Sequence, residues 1–251
     1  MLKPHVLYDD GSIYLGEFKS LEDKRDGRGI LLWEDQSKYQ GLWKEDKPNG
    51  KGKYTYPNGD YYEGEWKDGK VNGQGKFVHL NGSQYEGNWK DNFQDGEGIE
   101  IWPDGSMYKG NFSKGKKKGK GIFEWKNGAS YNGEFDFNQI NGFGTYIFND
   151  KRRYTGEWKN NKMDGHGRFE WPDGRVYTGD YKEDRKDGKG EYEWPDGRKY
   201  KGNWKNGKQH GEGYFFIPSK NIWKKGIWEN GKRVKWIDEN ENLNQEKLSK
   251  S

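Results

Sequence analysis

Tyr62-Glu63-Gly64-Glu65-Trp66 alternates apolar or small residues with charges, the two-residue period of a strand with one dry and one wet face. Asp68-Gly69 follows as a turn signal. From Gly73 through Gly75 and Phe77 to His79 the alternation returns, and Asn81-Gly82 closes a second turn. The pattern predicts two short strands and two turns, a β-hairpin. The hairpin then recurs. Tyrosines at 39, 62, 85, 108, 131, 154, 177 and 200 are spaced by 23 residues without a slip. Each opens Tyr-x-Gly-x-aromatic or a close variant, with Gly-x-Gly eleven residues after the tyrosine. A fixed period of this length means one small unit placed many times against its own copies.

The dry face is expected to collect Tyr62, Gly64, Trp66, Gly73, Gly75 and Phe77. Large rings beside bare glycines form a packing device, because a ring can lie over a neighbouring strand where no Cβ intervenes. Turn chemistry supports the same phase. Trp-Pro-Asp-Gly ends the second strand at 102–105, 171–174 and 194–197, and Tyr-Pro-Asn-Gly does so at 56–59. Proline presets φ for the first central residue, and glycine accepts positive φ at the end.

Tyr-x-Gly-x-Trp, a polar turn, Gly-x-Gly-x-aromatic and Pro-Asp-Gly at this period resemble MORN repeats (membrane occupation and recognition nexus), over about residues 5 to 233. The resemblance implies an all-β fold, an elongated single-layer antiparallel meander of tandem hairpins. Some twenty strands at about 4.8 Å each would give a ribbon of roughly 90–100 Å. The expected organisation is a half-repeat or cap at 1–13, nine repeats over 14–222, a degenerate repeat at 223–236 and a polar tail at 237–251. That tail reads as a disordered end or as a short helix from about Asn242 to Lys250.

Composition changes this picture in one respect. Only 29% of the chain is hydrophobic and 34% is charged, a balance that argues for disorder, yet 17% is aromatic with 13 Trp. Rings bury much area each and can hold a thin structure together. The net charge of +4 is spread over interleaved signs, which gives no support to a nucleic-acid partner. Cysteine is absent, the start carries no apolar signal region, and no apolar run approaches a membrane span. These features predict a cytoplasmic protein.

Several positions break the pattern. The first full repeat carries two extra residues between Phe18 and Gly27, expected in the hairpin tip. Gln36 and Lys151 stand where other repeats place a positive-φ glycine, so those turns are expected to be built differently. Glu100 falls where others place Phe or Tyr, which predicts either a β-bulge or a charge turned into the aromatic face. His79 replaces a usual Trp and raises the same question. Lys224-Lys225-Gly226-Ile227-Trp228 has lost its tyrosine and arrives one residue late.

Catalytic chemistry finds little support. His5, His79, His166 and His210 lie at unrelated phases, and no nucleophile elbow or phosphate loop is present. No enzyme, metal or cofactor is expected. Two surfaces are candidates for binding. One is an aromatic groove of Tyr62, Trp66, Phe77, Tyr85, Trp89, Trp102, Tyr108, Phe112, Phe123 and Trp125, suited to a partner helix, an extended peptide or a second copy of the chain. Its alternative is that rings and glycines simply cover one another. The other is a basic tip of Lys114, Lys116, Lys117, Lys118 and Lys120, joined by Lys151, Arg152 and Arg153, suited to acidic lipid headgroups or an acidic protein. The resemblance implies a scaffold or adaptor between protein partners, with self-dimers among them, in a cytoskeletal or ciliary assembly such as an axoneme with its radial spokes. An anionic-lipid recruitment module is the alternative. Accessory service to an enzymatic domain is not expected, since about 18 residues follow the last repeat.

Overall fold

A computed structural model describes residues 5–19 and 23–237. Among these residues there are 21 β-strands, one 3-10 turn and no α-helix. By their contacts the described residues divide into two compact units, the first running to residue 126 and including 135–138, the second made of 127–134 and the residues from 139 on. In the first unit, strands from Val6–Leu7 to Lys116–Glu124 pair antiparallel in sequence order. The second unit repeats this meander from Gln139–Ile147 to Lys232–Trp236.

The predicted hairpin is Tyr61–Lys67 paired with Lys70–Val78. Its tip places Asp68 at φ 50° and Gly69 at φ 82°. Two positive φ values in a two-residue loop suit the twist of the flanking strands, and small or amide-bearing residues tolerate them. Where the second tip residue is Asn or Asp, its side chain also reaches the preceding tip. Asn92 Oδ1 accepts from the Val71 N–H at 2.8 Å, and Asp184 Oδ1 from Met163 at 2.8 Å. Successive tips are thereby tied together.

The return turns share one geometry. The Gly59 N–H donates to the Tyr56 carbonyl at 3.0 Å with φ 89°. Gln36 and Lys151 do not depart from it, contrary to expectation. They hold φ 70° and 69° and donate to Trp33 and Phe148, each at 3.0 Å. Flanking pairing imposes the turn, and the residue carries the strain. The extra residues of the first repeat fall between strands ending at Phe18 and starting at Arg25.

The second strand Lys70–Val78 contains a β-bulge that the period did not reveal, and the same shift recurs in other repeats. Gly64 faces Gly75, but Trp66 faces Val71, so register shifts between them. Gly73 sits in the bulge at φ 86°, and a Cβ there would meet Glu65, a wet-face side chain. Its placement among the ring-face residues is therefore corrected. The Glu65 position caps the bulge in other repeats. Glu157 Oε1 accepts from the His166 N–H at 3.0 Å and Asp180 Oδ2 from Lys189 at 3.0 Å, while Asn88 Nδ2 donates to the Glu97 carbonyl at 3.0 Å.

Rings form the core. Tyr62 lies over the Gly64–Gly75 pair, where an added Cβ on either glycine would overlap the tyrosine, and its hydroxyl donates to the Glu65 carbonyl at 3.0 Å. Burial raises the phenol pKa, to about 12 for Tyr108 and Tyr200. Tyrosines and the following aromatics then alternate edge to face. Tyr39–Trp66, Tyr62–Trp89 and Tyr85–Phe112 have centroid distances of 5.3, 5.3 and 5.0 Å. Trp66 and Trp89 each send Nε1–H to a glycine carbonyl fourteen residues back, at 3.1 and 3.0 Å.

In the last repeat Lys224 takes the tyrosine register opposite Phe215. The extra residue is absorbed by the 3-10 turn Pro218–Lys220 and Asn221 at φ 51°. The predicted tail helix lies outside the described residues.

Candidate functional site

The ten groove candidates divide into two layers. Tyr62, Tyr85, Tyr108 and Phe112 are buried beneath their neighbours. Trp66, Phe77, Trp89, Trp102, Phe123 and Trp125 are half-buried and form the outer layer. Trp102 stacks on Phe123 at 5.2 Å and Phe123 on Trp125 at 4.4 Å, giving a continuous three-ring plate. Such a plate presents flat apolar area. Two open concavities lie on the opposite, charged face along the glycine rows, and one of about 590 Å³ lies beside Trp33 and Tyr54. The first unit holds one of about 860 Å³ beside Lys53, Glu63 and Lys76, and the second holds one of about 700 Å³ beside Lys189, Lys201 and Tyr214. Around Trp102, Phe123 and Trp125 the aromatic side is a plated surface.

Glu100 is in register, facing Tyr85 on one side and Tyr108 on the other, so no bulge accounts for it. Its carboxylate points into the aromatic face and meets Lys117 Nζ at 2.5 Å. That ammonium lies 4.8 Å from the Trp102 ring and 5.1 Å from Tyr108. Lys117 accordingly leaves the basic tip. Adjacent residues of a strand point to opposite faces, and Lys116 and Lys118 take the other side.

Lys116 and Lys118 place their ammonium groups 5.2 Å each from the Phe137 ring, which is 59% exposed on the next hairpin tip. Lys114 and Lys120 are exposed. Arg152, expected to join the patch, is held by Asp150 at 2.7 Å and lies over Phe148. His79 bonds Asp60 through Nδ1 at 3.1 Å and packs 4.6 Å from Phe77. Asp60 also accepts the Leu80 N–H, and this bond is the first cause holding its carboxyl pKa down. His79 is therefore a turn-fixing residue.

The sequence reading missed a cationic position on the aromatic face. Arg25, Lys117, Lys186 and Arg233 share one register, opposite Phe18, Phe112, Tyr181 and Trp228. Arg25 lies 4.4 Å from Trp43 and is paired with Asp46 at 3.0 Å. Charges at this one phase among apolar Val71 and Met163 were the available signal. Among the described residues, no three His, Cys, Asp or Glu side chains cluster to hold a metal. No helix among them is long and apolar enough to cross a membrane.

The MORN repeat sequence model matches nine consecutive segments, from 14–38 through 39–61, 62–84, 85–107, 108–130, 131–151, 154–174 and 177–197 to 200–221. The chain belongs to the MORN-repeat family. No curated protein matches it. Among solved structures it is similar to a point-mutant TCP10 domain of Danio rerio CPAP, with 15% identity and TM-score 0.44 over 94% of this chain and 99% of that one. It is also similar to the Drosophila melanogaster SAS-4 TCP domain in complex with a proline-rich motif of Ana2, with 16% identity and TM-score 0.39 over 62% and 85%. For this MORN-repeat protein, the tyrosine of each matched repeat is the buried ring over the glycines.

Proposed function

We propose that this MORN-repeat chain is a non-catalytic scaffold whose aromatic face joins protein partners. The plate of Trp102, Phe123 and Trp125 carries the reading, because half-buried stacked rings are the residue types that anchor protein interfaces. A cytoskeletal or ciliary assembly, axonemal or radial-spoke-like, is the setting the MORN resemblance implies, on family analogy alone. Proximity labelling from a tagged copy tests it. Filament-associated neighbours should be labelled and should be lost with the double substitution Trp102→Ala and Trp125→Ala. A diffuse cytosolic copy whose neighbours ignore those substitutions would overturn the scaffold.

A second reading, recruitment to anionic lipid, draws support from Phe137 exposed between Lys116 and Lys118. An exposed ring flanked by ammonium groups suits a headgroup boundary. Flotation with phosphoinositide vesicles should then fall with Lys116→Glu plus Lys118→Glu, and separately with Phe137→Ser. Unchanged flotation removes this reading.

A further inference from the structure

Lys186 stands on the aromatic face with its ammonium 4.4 to 4.9 Å from four ring centroids, those of Trp171, Tyr177, Tyr192 and Trp204. Lys117 occupies the same register in an earlier repeat, and there Glu100, seventeen residues back, supplies a carboxylate. Seventeen residues before Lys186 stands Phe169, in register with Tyr177 as Glu100 is with Tyr108. Of the other cations in the series, Arg25 has Asp46, and the exposed Arg233 lies over Trp236 at 4.2 Å. Among the described residues no carboxylate meets Lys186.

Its surroundings add positive charge instead. Arg175 lies 5.3 Å from the same Trp171 ring, and the nearby Asp173 is engaged by Arg175 at 2.7 Å. Arg175 is the charged group that acts on Lys186, which otherwise packs on the rings of Trp171, Tyr177, Tyr192 and Trp204. Directly across the ladder, Tyr181 is 6% exposed and its hydroxyl has no hydrogen-bond partner. Other repeats put Trp at that position and satisfy its Nε1–H on a glycine carbonyl, as Trp158 and Trp204 do at 3.2 Å. Tyr181 packs on Tyr154 and Tyr177, while a half-buried cation and a second cation share the Trp171 ring. A desolvated charge without a counter-ion is costly, and an anion would relieve it.

We propose that the Lys186 slot is a binding site for the carboxylate of an Asp or Glu side chain from a protein partner, as Glu100 is bound beside Lys117. The inference rests on the scaffold reading and names the chemistry of the contact. The carboxylate docks among the rings, accepting from Nζ, with the acidic residue flanked by apolar ones that cover Trp171. Burial holds the Lys186 pKa down to about 8, with Arg175 as a lesser cause. An anion in the slot favours the ammonium form, so binding takes up a proton in alkaline solution.

The test is an NMR titration of the full chain with N-acetyl-glutamate N-methylamide, against the glutamine analogue, reading the Lys186 side-chain resonances. The glutamate probe alone should perturb them saturably, and its affinity should fall about tenfold per pH unit once the free ammonium has titrated. Lys186→Met should abolish the effect, and Met163 shows that the position accepts methionine. Phe169→Glu should abolish it too by supplying an internal carboxylate, with amide dispersion confirming the fold of each variant. Glu100→Gln should open a second site at Lys117. Equal response to both probes, no saturation with glutamate, or undiminished binding in Lys186→Met overturns the slot. Because a small probe reads it, this failure leaves the scaffold reading standing, and proximity labelling tests that separately.

Discussion

Glu100 and Lys117 form an ion pair on the face that other repeats fill with rings, their side chains 25% and 13% exposed. The pair stands where an aromatic and an aliphatic residue, Tyr54 and Val71, hold the same register positions two repeats earlier. Removing one member leaves the other charge against apolar rings, whereas removing both restores the common packing. Glu100→Gln or Lys117→Val alone should lower stability by about 1–3 kcal/mol in urea titration. Glu100→Tyr combined with Lys117→Val should return to within about 1 kcal/mol of the parent. Additive losses in the double variant would show that the two side chains are not coupled.

The tyrosine-over-glycine contact should dominate the stability of each repeat. A Cβ at Gly64 or Gly75 overlaps Tyr62 and, at Gly64, the Gly75 backbone as well. Both glycines lie inside paired strands, so the ring cannot withdraw without breaking its bond to the Glu65 carbonyl. Gly64→Val and Gly75→Val should each cost roughly 3 kcal/mol or more, as overpacking at a backbone contact does. Glu63→Gln, which loses only an exposed pair with Lys53 at 3.6 Å, should cost about 0.5 kcal/mol or less. Thermal melts giving equal losses for the three would contradict the packing rule.

Strand positions, both turn sites and the ring face were legible in the sequence because alternation and period depend on local residue type alone. The bulge was not. Gly73 reads by parity as a ring-face residue, and only the backbone shows the register shift that turns it toward Glu65. Carboxylates such as Glu157 and Asp180 look like solvated charges in sequence, yet they cap the bulge N–H groups. Glu100 was visible as an exception, but its explanation lies seventeen residues later in Lys117, beyond the reach of a repeat-by-repeat comparison. Which rings stay half-buried was equally hidden, since Trp102 and Tyr108 differ in packing depth and not in hydrophobicity.

The strained return turns yield a simple stabilisation. Gln36 and Lys151 keep φ near 70°, and both side chains are exposed at these turns. Glycine removes the Cβ–carbonyl conflict of that region, about 1–2 kcal/mol, and loses part of the gain to unfolded-chain entropy. Gln36→Gly and Lys151→Gly should each raise stability by about 0.5–1 kcal/mol in denaturant titration. A loss in either case would mean that the side chain makes a contact outweighing its strain.

Lys186 gives the chain a distinctive alkaline response. Its pKa is held to about 8 in the folded protein, from 10.5, chiefly by burial. Below pH 8 both folded and unfolded states carry the proton, and the folded state bears the full cost of the buried cation. As pH rises from 8 the folded protein releases that proton first, so the unfolded state binds more protons and stability climbs. Above about pH 10 the tyrosines reverse the trend, because unfolded phenols ionise while buried ones, Tyr108 among them at about 12, stay neutral. Stability should therefore rise between pH 8 and 10 by about 1–3 kcal/mol, less than the bare shift implies because the four rings attract the ammonium. Lys186→Met should be more stable than the parent at pH 7 and flat across that interval in urea titrations. A parent whose stability is flat there, or falls, would place the Lys186 ammonium in solvent and out of the ring cage.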